Sequence, residues 1–146
     1  SPDMKKIRTD EMLDTLHNTA NISDFLKKHE VHFVQQDFAR CLAAFTEKKG
    51  LVREHVIRRA DIDRTYGHQI YEGRRRPSRD KVIQLAFGLE LDESEVRELL
   101  IAAGYMPLYP KISRDAILIF CIVHKKSIND ANHLLDREGL SLLGKG

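Results

Sequence analysis

Four side chains in one short stretch carry the groups that read the edges of bases. Arg64 offers a guanidinium fork suited to guanine, Gln69 an amide suited to adenine, and Thr65 a methyl group suited to thymine. His68 completes the set. In a helix these four share the outer face, because Gly67, Ile70 and Tyr71 stand three and four apart on the opposite one. Arg74, Arg75, Arg76 and Arg79 follow at once, and their charge suits phosphate oxygens flanking a groove; Arg53 and Tyr66 are further candidates for the same task. A short exposed helix ringed by guanidinium groups fits the B-DNA major groove. The bland alternative is a solvated helix face beside a solvated basic loop. What favours phosphate contact is that the arginines come directly after a capped helix and a glycine.

Two helices and a tight turn must position these residues. Val56 and Ala60, with Ile57 widening the stripe, make Glu54 to Ala60 a helix with one apolar face. Arg58 and Arg59 lie near its end, where the macrodipole favours positive charge. Asp61 falls where the chain must turn, often through a left-handed conformation that Asp tolerates better than a branched residue does. Ile62 points inward, and Asp63 is suited to cap a helix from Arg64 to Glu72. Gly73 then ends that helix, Pro77 prevents its immediate resumption, and Ser78 caps the next.

The remaining elements read as helices too. Thr9 is a candidate cap for one carrying Leu13 and Leu16, and Asn21 for another with Phe25 and Leu26 facing inward. Residues 31–34 are ambiguous between a loop and an extended piece. Gln35 to Lys48 places Phe38, Cys41, Leu42 and Phe45 on one stripe, closed by Gly50. Ser78 opens a helix with Val82, Leu85, Ala86 and Leu89; Asp92 caps one with Val96, Leu99, Leu100 and Ala103, ended by Gly104. Prolines keep residues 106–110 extended. Ser113 is a candidate cap for a helix through residues 116–123 that is apolar on every side and should be buried all round, with a strand as the alternative. Ser127 to Asp130 resembles a capping box for a last helix ended by Gly139, after which the tail should fray. His124 and His133 are expected at helix ends.

The stretch from Gly50 to Ser78 resembles the Cro/phage-repressor (XRE) helix-turn-helix family. Gly50, Leu51, Glu54, Val56, Ala60, Ile62, Ile70, Gly73, Arg75, Pro77 and Ser78 stand at matching positions, and the likeness covers roughly residues 38–100. It implies a five-helix domain whose second helix pair docks on DNA, with Arg64, Thr65, His68 and Gln69 facing base edges. Three positions depart from the pattern: Arg53 replaces a usual Gln, Ile57 a usual small residue, and Asp61 the turn Gly. The wider pattern, including Arg79-Asp80 and Leu108-Tyr109-Pro110 before Arg114-Asp115, is similar to that of small bacterial regulator-like proteins with helical extensions on both sides.

Charge is distributed in keeping with one nucleic-acid surface. The 146 residues carry a net charge of only +2, with 42% apolar and 32% charged side chains. Arg53 to Arg79 holds eight arginines against four acids, which makes that segment +4 and the remainder −2. Cys41 and Cys121 sit in apolar patterns and read as small buried thiols of a reducing cytoplasm. His29 and His32 have no Cys or carboxylate at ligand spacing, so no metal site is expected. No cofactor, phosphate loop, nucleophile elbow or membrane span is indicated, and an enzyme is not expected. The sequence therefore predicts an all-α protein: an N-terminal helical extension (1–34), a helix-turn-helix DNA-binding core (35–105), and a C-terminal extension (106–146) packed on the core or used for dimerisation. Double-stranded DNA is the expected partner and a homodimer, through the apolar helix near Ile117 and its neighbour near Leu134, a further one. The effector is left unknown. The rival reading is a protein-interaction module that keeps the fold and turns its basic face to an acidic partner.

Overall fold

The computed structural model describes residues 7–30 and 33–144, and among these every regular element is helical. They are α1 (Thr9–His17), α2 (Ile22–Lys28), α3 (Val34–Lys48), α4 (Arg53–Arg59), α5 (Arg64–Tyr71), α6 (Arg79–Gly88), α7 (Glu93–Ala102), α8 (Ser113–Val123) and α9 (Ile128–Arg137). The protein is thus all-α. One connected set of buried side chains runs from Phe38 on α3 to Leu143 beyond α9, so the C-terminal helices share the core of the central ones.

Local chemistry sets the element boundaries. The side chains of Asn21, Asp63, Ser78, Asp92 and Ser127 each accept an amide hydrogen at the start of their helix. Asp92 with Glu95, and Ser127 with Asp130, form complete capping boxes. Two expected caps are not caps: Thr9 and Ser113 are the first helical residues, and Arg8 and Ile112 precede them without a side-chain bond. Asp61 adopts φ 58°, the left-handed turn that its position between α4 and α5 demands. The fully buried Gln84 holds this turn from α6, its amide donating to the carbonyls of Ala60 (2.9 Å) and Asp61 (3.3 Å).

The α4–α5 crossing is close because Gly67 gives up a side chain. A Cβ placed there would lie 2.6 Å from Ile57 Cγ2 and 2.8 Å from its Cγ1. Ile57 is the bulky residue at a position the resemblance leads one to expect small. The missing side chain on α5 makes room for the large residue on α4.

Several expectations are corrected. The α8 helix replaces the strand alternative, but it is not buried all round. Leu118, Cys121 and Ile122 are covered, while Phe120 and Val123 are about half exposed (48% and 54%), because the core meets only one side of it. Leu26 faces solvent and only Phe25 of its pair is buried. His133 lies inside α9 rather than at an end, while His124 does cap α8. The tail does not fray as far as it is described: Leu143 is fully buried, and Asn132 both donates to its carbonyl (2.9 Å) and accepts from its amide (2.7 Å). Val34 begins α3, whereas residues 31–32 lie outside the described residues, and with them His32 of the histidine pair.

The Ile57–Gly67 contact predicts a non-additive double-mutant cycle. Gly67→Ala should destabilise by about 1–2 kcal/mol despite the better helix propensity of alanine, because the β-branched neighbour cannot withdraw. Ile57→Ala alone should cost about 2–4 kcal/mol. In the double variant, urea unfolding should show a cost at least about 1 kcal/mol below the sum of the singles.

Candidate nucleic-acid interface

The cap on Asp63 and the glycine closure present α5 outward. Asp63 accepts from the Tyr66 amide at 3.0 Å, and Gly73 takes φ 76° to leave the helix. The Gly73 carbonyl accepts from Gln36 Nε2 at 3.0 Å, which ties the end of α5 to the start of α3. Ile70 and Tyr71 are buried, and the Tyr71 hydroxyl shares a 2.8 Å hydrogen bond with Thr46 on α3. With its inner face so held, α5 leaves Arg64 and Thr65 exposed and His68 and Gln69 half-buried. The four residues expected at base edges therefore all retain access to solvent. Tyr66 is half-buried and packs against the core.

A carboxylate missed in the sequence organises this face. Glu54, in the first turn of α4, accepts from Arg64 Nε at 3.0 Å and Nη2 at 2.6 Å, and from His68 Nε2 at 3.2 Å. The Arg64 guanidinium and the His68 ring hold its carboxyl below the ordinary value. The pair is exposed, so it contributes little to stability, but it fixes the direction in which the Arg64 fork points. The only sequence signal for it is a carboxylate at the start of α4, the end that lies beside the start of α5.

The expected phosphate set divides in two. Arg53 lies over the Tyr71 ring with its guanidinium carbon 5.0 Å from the centroid, Arg74 pairs with Glu72 at 3.0 Å, and Arg75 is exposed with no ion pair among the described residues. Arg76 and Arg79 are engaged within the protein. Arg76 donates through Nε and Nη2 to the Ala103 carbonyl at the end of α7 (3.2 and 3.0 Å) and stacks 4.5 Å from the Tyr105 ring. Arg79 donates to the carbonyls of Met106 and Pro107 and, with two nitrogens, to the buried carboxylate of Asp115 (3.2 and 2.9 Å). The Tyr109 amide adds a third donor to Asp115 at 2.9 Å.

Asp80 answers this pairing in reverse. Arg114 donates to both its carboxylate oxygens at 2.8 and 2.9 Å, and through Nε to the Ser141 carbonyl. Two Arg-Asp dipeptides, one opening α6 and one opening α8, thus pair crosswise.

Among the described residues no cluster of three or more His, Cys, Asp or Glu is placed to hold a metal ion, and no helix is long and apolar enough to cross a membrane. Both cysteines are free thiols. Burial pushes each of them up, Cys41 to about 11 with Glu98 adding to the effect.

The two groups of arginine should separate experimentally. Burial would raise the Asp115 carboxyl, yet Arg79 and the Tyr109 amide outweigh it and hold the group below its ordinary value. Arg79→Ala should therefore lower stability by about 2–4 kcal/mol at neutral pH, because it strands a buried carboxylate. That cost should be whole above the ordinary carboxylate pKa and should shrink as pH falls through the depressed folded value and Asp115 protonates. Arg75→Ala should leave thermal unfolding within about 0.5 kcal/mol at any pH.

Residues 37–99 match the family model of a helix-turn-helix domain. No curated protein and no solved structure gives a match. The matched segment runs from α3 into α7 and encloses the α4–α5 pair, so the protein carries a helix-turn-helix domain within an all-α fold.

Proposed function

We propose that the chain is a sequence-specific double-stranded DNA-binding protein of the Cro/phage-repressor type, acting as a cytoplasmic transcriptional regulator. The observation that carries the reading is the outward face of α5 within a matched helix-turn-helix segment, with Arg64 oriented by Glu54. In this reading α5 enters the major groove and Arg64, Thr65, His68 and Gln69 meet base edges. Arg53, Arg74, Arg75 and the Tyr66 hydroxyl hold the backbone on either side. Arg76 and Arg79 serve differently: their contacts with Ala103, Met106, Pro107 and Asp115 position the loop that presents Arg74 and Arg75.

One α5 helix makes few base contacts, so useful discrimination calls for two copies on a two-fold repeated site. The half-exposed Phe120 of α8, which lines one hollow with Leu134 of α9, and the half-exposed Val123 supply an apolar surface on which a second copy would sit.

The test is selection of duplexes from a random pool, followed by salt titration of the selected site. With three arginine contacts per protomer, log K should fall with log salt at a slope of about −2.7 for one protomer and about twice that for a dimer. Arg75→Ala should weaken every sequence alike and reduce the slope by about 0.9 per protomer. Gln69→Ala should instead relax preference at one base position, by about 1–3 kcal/mol. Failure to select any duplex at low salt would overturn the proposal in favour of a protein-interaction module.

A further inference from the structure

A cavity of about 290 Å³ lies where the end of α6 meets the turn between α8 and α9. Its walls are apolar: Phe87 is half-buried, and Ile122 and Ile128 are nearly covered, at 6% and 7% exposure. Its rim is cationic. Arg59 reaches it from the end of α4, but that guanidinium is already held by the Gly88 carbonyl and by Glu90 at 3.0 Å. Lys125 and Lys126 also line the cavity, and neither has an ion pair among the described residues. Glu90 is paired with Arg59, and although the Asp130 carboxylate lies within electrostatic range of Lys126, the two lysine ammonium groups still leave the rim net positive. The facing turns are both built on left-handed, non-glycine residues, Glu90 at φ 55° and Lys125 at φ 57°. Each closes its helix, the next amide donating back to the Ala86 carbonyl (3.1 Å) or the Cys121 carbonyl (2.8 Å), so both turns that face the cavity are fixed in place.

We propose that this cavity binds a small aromatic carboxylate, its ring against Phe87, Ile122 and Ile128 and its carboxylate on Lys125 and Lys126. Apolar walls beneath a cationic lip match an amphipathic anion. An inorganic phosphate would leave the walls empty, and a neutral aromatic would leave both ammonium groups unpaired. The volume is at the small end for ligand sites, which suits one or two fused rings and not a nucleotide. The site lies away from the base-facing residues of α5, and its existence does not depend on whether the chain binds DNA.

The probe is 2-naphthoate, titrated into the full 15N-labelled chain, with neutral 2-naphthamide as the comparison. Saturable shifts at Phe87 and at Lys125 to Ile128 are expected, with the acid binding about tenfold tighter than the amide. The pair Lys125→Asn and Lys126→Gln should weaken the acid by about tenfold and leave the amide unchanged. Asn keeps the left-handed turn accessible, and both side chains are exposed, so the fold should survive. Should the double variant nonetheless unfold, salt serves instead: raising it must weaken the acid on the native chain and leave the amide unaffected. Equal affinity for acid and amide, shifts confined to other residues, salt-independent binding of the acid, or no response at millimolar probe would each overturn the site.

Discussion

The placement of Ile57 against Gly67 is the contact on which the presentation of α5 depends. With no side chain at Gly67, the α5 backbone lies directly on Ile57, and the crossing is set by steric contact rather than by flexible groups. Gln84 adds a directional constraint by clamping the carbonyls of Ala60 and Asp61, so the left-handed turn has little freedom to relax. Gln36 and Thr46 then fasten the far end of α5 to α3. Each fastening uses the inner face or the backbone. The outer face carries only the Glu54 network, which orients side chains without burying them.

Guanidinium groups of one type perform opposite tasks within a few residues of each other, and burial of the partner decides which. Asp115 is almost wholly covered, so the Arg79 pair sits in a poorly screened environment, where breaking it costs far more than breaking an exposed pair. Arg74 and its partner Glu72 are both largely in water, where screening leaves the guanidinium available to a stronger anion such as phosphate. A run of arginines in sequence is therefore not a run of equivalent contacts. Of the five arginines expected at phosphates, Arg76 and Arg79 are hydrogen-bonded to distant parts of the chain, whereas Arg53, Arg74 and Arg75 make no such bond to a distant carbonyl or buried carboxylate among the described residues.

The α4–α5 unit was legible because its determinants are local. A cap, a turn residue and a closing glycine each act within four residues, and Asp61, Asp63 and Gly73 all adopt the conformations their chemistry favours. What escaped the sequence reading is non-local. The Glu54–Arg64 pair, the crossed Arg-Asp dipeptides and the Asn132 clasp on Leu143 join residues that only the finished fold brings together. The apolar run on α8 failed for another reason. Eight consecutive apolar residues show that a helix is hydrophobic, but periodicity cannot say how much of it the rest of the chain can cover. Phe120 and Val123 are what remains uncovered.

The crossed Arg-Asp pairs bear on how the C-terminal helices can influence α5. A buried ion pair gains little net stability over a well-packed apolar substitute, and its better attested effect is to exclude alternative arrangements. Here one pair with a buried carboxylate, Arg79–Asp115, and one with a partly exposed carboxylate, Arg114–Asp80, join the first turns of α6 and α8 in opposite polarity. Sliding or rotating one helix against the other would separate both pairs at once and leave Asp115 with the Tyr109 amide alone. The α8–α9 hairpin is therefore fixed to α6 at one end, and α6 in turn holds the α4–α5 turn through Gln84. A perturbation at the hairpin has a continuous covalent and hydrogen-bonded route to α5 through a single helix. That helix is held at its first turn by the Arg79 and Asp80 pairs and reaches the α4–α5 turn through Gln84, so one element joins both sets of contacts.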